Sequence, residues 1–140
     1  MNADFEFQPV FYSGLSGLQL HIPKYLYPPP YENASRLTYY ATFFNSIEIN
    51  SSFYKIPQSA TVAKWAGSVN GNFRFTFKLW KEITHCKDFN FKNEHVALFI
   101  KAINNVENKK ACLLIQFPPS LGKEYIRQLT NLLNCIKEID

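Results

Sequence analysis

The chain has 140 residues, 46% of them hydrophobic and 16% aromatic, enough for one domain with its own core and incompatible with a disordered chain. A net charge of +4 tolerates an anionic partner, but no block of Lys and Arg demands nucleic acid. The opening MNADFEFQPV is no signal peptide and no run of about 18 apolar residues exists, so no membrane partner is expected. Three cysteines without C-x-x-C spacing read as reduced thiols of a cytoplasmic protein.

In chain order, VFYSGLSGL (10–18) reads as a first strand, followed by a proline-rich loop containing YPPP. Residues 31–44 read as a helix, with Leu37, Tyr40, Ala41 and Phe44 at helical spacing. NSIEINSSFYKIP follows, and its segment 46–54 is expected as a strand, because Ile47, Ile49, Phe53 and Tyr54 are strand formers and Pro57 closes the run. Ser59 can cap a helix over 59–69 that buries Val62, Trp65, Ala66 and Val69. NFRFTFKLW (72–80) alternates cleanly as a strand. A helix over 93–107 carries the stripe Val96, Phe99, Ile100 and Ile103. The apolar run 111–119 is a fourth strand ending at a double proline, and a helix over 123–139 is expected to turn Ile126, Leu129, Leu133 and Ile136 inside.

Four strands alternating with four helices, with no internal linker, predict a single α/β domain over 1–140 with parallel strands. The order fits a small doubly wound sheet or one half of a (β/α)8 barrel. In the barrel reading Ile47, Ile49, Phe73, Phe75, Phe77, Leu113, Ile115 and Phe117 face the helices. Glu48, Asn50, Arg74, Thr76, Lys78, Cys112, Leu114 and Gln116 then face inward. The polar members lie late in their strands, where both folds place their sites.

The candidate catalytic residues are Glu48, Lys78 and His85. Glu48 could act as a general base or orient a substrate hydroxyl. Lys78 could hold a phosphate or carboxylate, or stabilise an oxyanion. The two could equally form a buried ion pair that fixes register. His85 lies in the loop after the third strand and titrates near neutrality, although a hydrogen-bonded structural histidine would look the same. Asn50, Ser52 and Gln116, with Ser16 of the first strand, are candidates for neutral hydrogen bonds to a substrate. His21, His85, His95, Glu48 and the cysteines show no zinc-like spacing, so neither a metal nor another cofactor is expected. Tyr25, Tyr27, Tyr31, Tyr39 and Tyr40 could stack on nucleic acid, or form an aromatic core beneath the proline-rich loop.

The stretch YYATFFNSIEINSSFYKIPQSATVAKWAGSVNGNFRFTFKLWKEITH, followed by LLIQFPPS, resembles the family known as domain of unknown function 72, DUF72. The features that match are a tyrosine-rich helix running into E-x-N-x-[ST]-F-Y, a tryptophan helix, F-x-F-x-x-K with a T-H pair, and L-x-Q-x-P-P. They fall on Glu48, Asn50, Phe53, Tyr54, Trp65, Phe75, Lys78, Thr84, His85, Gln116, Pro118 and Pro119. The family's opening G-x-S-G-W stands here as GLSGL, with Leu18 in place of tryptophan.

The resemblance implies the (βα)4 N-terminal half of a TIM-type barrel, since a complete (β/α)8 domain needs about 250 residues. It covers roughly residues 12–120 and the helix after them. It further implies that the later strands, with their acidic, arginine and histidine motifs, are missing from these residues. The expected function is that of an uncharacterised DUF72 barrel protein or fragment of unknown activity, either with a polar site at the C-terminal strand ends for a small anionic or nucleic-acid substrate, or with its machinery lost. The alternative is a metal-dependent phosphodiester hydrolase acting on nucleic acid, by analogy of fold. Two unpaired edges, at the first and fourth strands, make self-association into a homodimer a further expectation.

Overall fold

The computed structural model describes residues 11–140. The opening MNADFEFQPV, and with it Val10 of the expected first strand, lies outside the described residues. Four strands form one parallel sheet in the order β1 (Gly14–Ser16), β2 (Ser46–Ile49), β3 (Arg74–Lys78) and β4 (Lys110–Leu114). Between and after them lie α1 (Arg36–Tyr40), α2 (Ser59–Gly67), α3 (Lys81–Thr84), α4 (Asn93–Ile103) and α5 (Ile126–Ile139). The expectation of parallel strands in sequential order, each followed by helix, is borne out, and the fold is a half barrel.

Several elements are shorter than the periodicity predicts, for local reasons. The second strand stops at Ile49, because Asn50–Phe53 wind into a 3-10 turn. The first helix starts only after Ser35, whose hydroxyl accepts from the Thr38 N–H at 3.0 Å, as an N-cap does. It ends after Tyr40, where the Thr42 hydroxyl takes the Tyr39 carbonyl at 2.8 Å and competes with helix continuation. The fourth strand is displaced towards the N-terminus, beginning at Lys110 and ending at Leu114. The short helix α3 is absent from the sequence reading, since four residues are too few to show a period.

The two faces of the sheet differ in kind. Register places Ile47 beside Phe75 and Ile49 beside Phe77. These residues and Phe73 are buried against Leu37 of α1, Val62 of α2, Val96 and Phe99 of α4, and Leu132 of α5. Each such side chain contributes about 1.5–3 kcal/mol when taken fully out of water, so this layer is the core. On the other face Ser16, Glu48 and Thr76 form one row and Lys78 and Leu114 another. Glu48, Thr76 and Lys78 are half-buried, and Ser16, Cys112 and Leu114 are exposed.

The seam between β1 and β2 is closed by a side chain. The Tyr40 hydroxyl accepts from the Leu15 N–H at 2.7 Å and donates to the Ser46 carbonyl at 2.9 Å. Gly14 lies so close to this seam that a Cβ there would sit 1.9 Å from the Ser46 carbonyl oxygen. Only glycine permits that approach. At the opposite side of the fold the Lys109 ammonium donates to the Val69 carbonyl at 2.8 Å and to that of Ala66, so a cation terminates α2.

Candidate functional site

Strand alternation and register bring three of the expected residues onto the open face. Ser16 ends β1 beside Glu48 of β2, and its hydroxyl donates to a Glu48 carboxylate oxygen at 2.9 Å. With Gly14, Ser46 and Thr76 they line a shallow cavity of about 160 Å³. The residues at 14, 16 and 46 are small, which is why the cavity exists at all. The carboxylate is held by one hydrogen bond and remains half-exposed, with acceptor capacity left over.

Lys78 ends β3 on the same face, two residues beyond Thr76, the register partner of Glu48. That offset is about 7 Å along the strand. Among the described residues Lys78 has no carboxylate within ion-pair distance, and Lys110 with Asp140 is the pair that forms. The register-fixing ion pair between Glu48 and Lys78 is therefore not made. The Lys78 ammonium instead lies 4.6 Å from the centroid of the Phe53 ring. An aromatic face attracts a cation without neutralising it, so the charge remains available to an anion.

Phe53 was not singled out by the sequence reading as a site residue, although it stands in the F-Y pair that closes the second strand motif. It supports His85 as well as Lys78. The two rings meet edge to face at 5.1 Å. His85 follows α3, is exposed, and its Nδ1 is 2.8 Å from the hydroxyl of buried Thr84. The short helix α3 thus carries the imidazole to the rim of the open face.

The remaining candidates lie outside that shallow cavity. Ser52 is buried, and its hydroxyl lies 2.6 Å from the Ile49 carbonyl and 2.7 Å from the Lys78 carbonyl. It ties the ends of β2 and β3 together beneath the surface. The cause is the 3-10 turn, which breaks the alternation that would have aligned Ser52 with Glu48. Asn50 opens that turn and, together with Glu48, lines a second pocket of about 290 Å³ whose walls include Leu18, Leu37, Ile49 and Trp65. Gln116 is exposed beyond the end of β4.

Among the described residues no group of three or more His, Cys, Asp and Glu side chains gathers at one place. His95 packs against Trp80 with ring centroids 4.9 Å apart. Burial pushes the Cys86 thiol up, and burial together with the Glu138 charge does the same for Cys135. Of the tyrosines, Tyr27 and Tyr39 are buried with centroids 4.0 Å apart, and Tyr31 packs on Tyr39 at 5.4 Å. They and buried Tyr40 form aromatic core beneath the proline-rich loop, whereas Tyr25 is exposed. No helix among the described residues is long and apolar enough to cross a membrane.

Comparison with known proteins agrees with this fold. The family model described as "Protein of unknown function DUF72" matches residues 12–140. UPF0759 protein YunF of Bacillus subtilis is 30% identical over 116 residues, which are 79% of this chain and 40% of that protein. UPF0759 protein YecE of Escherichia coli is 25% identical over 97 residues, 69% of this chain and 36% of its own length. The chain thus spans about two fifths of the curated relatives it matches. A crystal structure of a DUF72 family protein from Enterococcus faecalis superposes with a TM-score of 0.66 at 26% identity, covering 75% of this chain and 41% of that one.

Proposed function

The chain belongs to the DUF72 family, whose function is unknown, and from that premise we propose that its open sheet face is one half of a binding site for a small, hydroxyl-bearing anionic molecule. The observation that carries the reading is the Lys78 ammonium, half-buried over Phe53 without a carboxylate counter-ion, on the same face as the Ser16–Glu48 pair. Lys78 supplies the charge that an anionic group seeks. Glu48, already accepting from Ser16, accepts from a ligand hydroxyl. His85 stands at the rim, where its exposed imidazole can hydrogen-bond the ligand. The location at the C-terminal ends of parallel strands is the place where such folds bind ligands. Three free cysteines, one of them exposed, suit a reducing, cytoplasmic setting.

The test is a titration of the isotope-labelled chain with inorganic phosphate, followed by amide chemical shifts. Shift changes concentrated at Lys78, Glu48 and His85, and lost in Lys78→Met, support the site. Changes that are absent, or that persist in Lys78→Met, refute it.

A further inference from the structure

We propose that the site continues into an apolar specificity pocket beside Glu48, and that its ligand is a small anion bearing an aryl group next to its hydroxyl. The inference rests on the reading of Glu48 and Lys78 as a binding site, and it names the class of molecule which that site takes.

The pocket has a volume of about 290 Å³ and is walled by Leu18, Leu37, Ile47, Ile49 and Trp65. Its lining comes from the first two strand–helix units, between residues 17 and 65. Small-molecule sites are of this kind, mostly apolar, with volumes from about 300 Å³ upward and a few polar groups that fix orientation. Here the polar side chains include half-buried Asn50 and Glu48. At the rim Gly17 takes a φ of +90°, and its N–H donates to the Glu48 carbonyl at 2.9 Å. Glycine adopts that backbone without strain, and at this position no side chain narrows the entrance.

Two observations join the pocket to the charged site. Glu48 borders both this pocket and the shallow cavity that it shares with Ser16. A ligand hydroxyl held by Glu48 therefore stands at the threshold of both. The second observation is the 3-10 turn Asn50–Phe53. Its first residue lines the pocket, the Ser52 hydroxyl lies 2.7 Å from the Lys78 carbonyl, and its last residue carries the ring beneath the Lys78 ammonium. In such a turn residues three apart share one side, with a rise of about 2 Å per residue. Asn50 and Phe53 thus face the same way, about 6 Å apart along the turn. A compact aryl hydroxy acid bridges such a span between its ring and its carboxylate.

Charge decides which end of the ligand enters. Among the described residues Glu48 is the one ionisable side chain that lines the pocket. An anionic group placed there would lose its water without gaining a cation, and would meet a carboxylate of its own sign. The anionic end is left to Lys78, which has no carboxylate within ion-pair distance among the described residues. The apolar end is left to the pocket. Leucine and isoleucine side chains close most of the wall, and the half-buried Trp65 indole offers a surface on which a flat ring packs offset or edge-on.

Phenyllactate and lactate differ by the phenyl group alone, and titrations of the isotope-labelled chain with each acid test the proposal. Phenyllactate is expected to bind tighter by about tenfold or more. It shifts the amides of Leu18, Ile49 and Asn50 and the indole N–H of Trp65, together with Lys78. Leu18→Trp, at a position 38% exposed, fills the pocket and brings phenyllactate down to the lactate level. Equal binding of the two acids overturns the proposal, as does a preference that survives Leu18→Trp with circular dichroism kept. The wild-type comparison decides alone if that variant does not fold. The anion reading fails separately, because phenylethanol carries the ring and the hydroxyl without the charge. Phenylethanol shifts at Leu18 and Trp65, with no phosphate response at Lys78, keep the aryl pocket and lose the anion site. A phosphate response at Lys78 with no preference for the phenyl group does the reverse.

Discussion

The two faces of the sheet are built from alternate residues of the same strands, yet they obey different rules. Phe75 and Phe77 are fully buried, while Thr76 between them and Lys78 after them are half-open. Burial is concentrated on the first face and polar groups on the second. A strand can serve both because its side chains point to opposite sides in turn. Half of the chain's sheet positions are therefore free of the demand for close packing, and those are the positions that carry a carboxylate, a hydroxyl and an unneutralised ammonium.

The comparison breaks most sharply at Phe75. Phe75→Ala should cost about 3–5 kcal/mol and shift the urea midpoint strongly. Thr76→Ala, one residue away, should stay within about 0.5 kcal/mol. Equal losses at the two sites would mean that the open face is packed after all. Tyr40→Phe comes next, because it strands the Leu15 N–H and the Ser46 carbonyl at the β1–β2 seam, and should cost about 1–3 kcal/mol.

Tyr40 also carries a pH signature. Burial pushes its phenol above the ordinary value, and the Leu15 N–H offsets this only in part. A hydroxyl that ionises later in the folded than in the unfolded chain contributes stability that is complete below the unfolded value of about 10. That contribution is lost as pH rises through the folded value. The wild type should therefore lose stability above about pH 10 more steeply than Tyr40→Phe, as read by urea titrations at stepped pH.

A smaller effect sharpens the contrast from the other side. Lys78→Met should change stability by less than about 1 kcal/mol, the scale of an accessible cation–π contact, while removing the phosphate response. The smallest effect is kinetic. Cys112 is exposed on the open face, whereas burial raises the thiols of Cys86 and Cys135 and leaves them with less thiolate near neutrality. Iodoacetamide should alkylate Cys112 first, as peptide mass mapping over time would show.

Much of this contrast was legible in the sequence. The alternation in NFRFTFKLW separated Phe73, Phe75 and Phe77 from Thr76 and Lys78, and SIEI separated Ile47 from Glu48. The half-barrel fold followed from the order of elements and from the resemblance. Ser52 shows where reading by period runs out. A 3-10 turn of four residues leaves no periodic trace, so its burial beneath the Lys78 carbonyl was invisible. Phe53 escaped for a related reason, because its contacts with Lys78 and His85 join three separate elements. The vacant ion pair between Glu48 and Lys78 depends on a register offset that no single strand reveals.

The phenol at the β1–β2 seam bears on the order in which the chain can assemble. Tyr40 belongs to α1, the helix that lies in sequence between the two strands it joins. With only three residues, β1 is too short to hold itself against β2 before that helix has docked. The first crossover must therefore form as one cooperative unit of strand, helix and strand. In native-state hydrogen exchange, the Leu15 amide should open together with α1 and before the amides of β3 are reached.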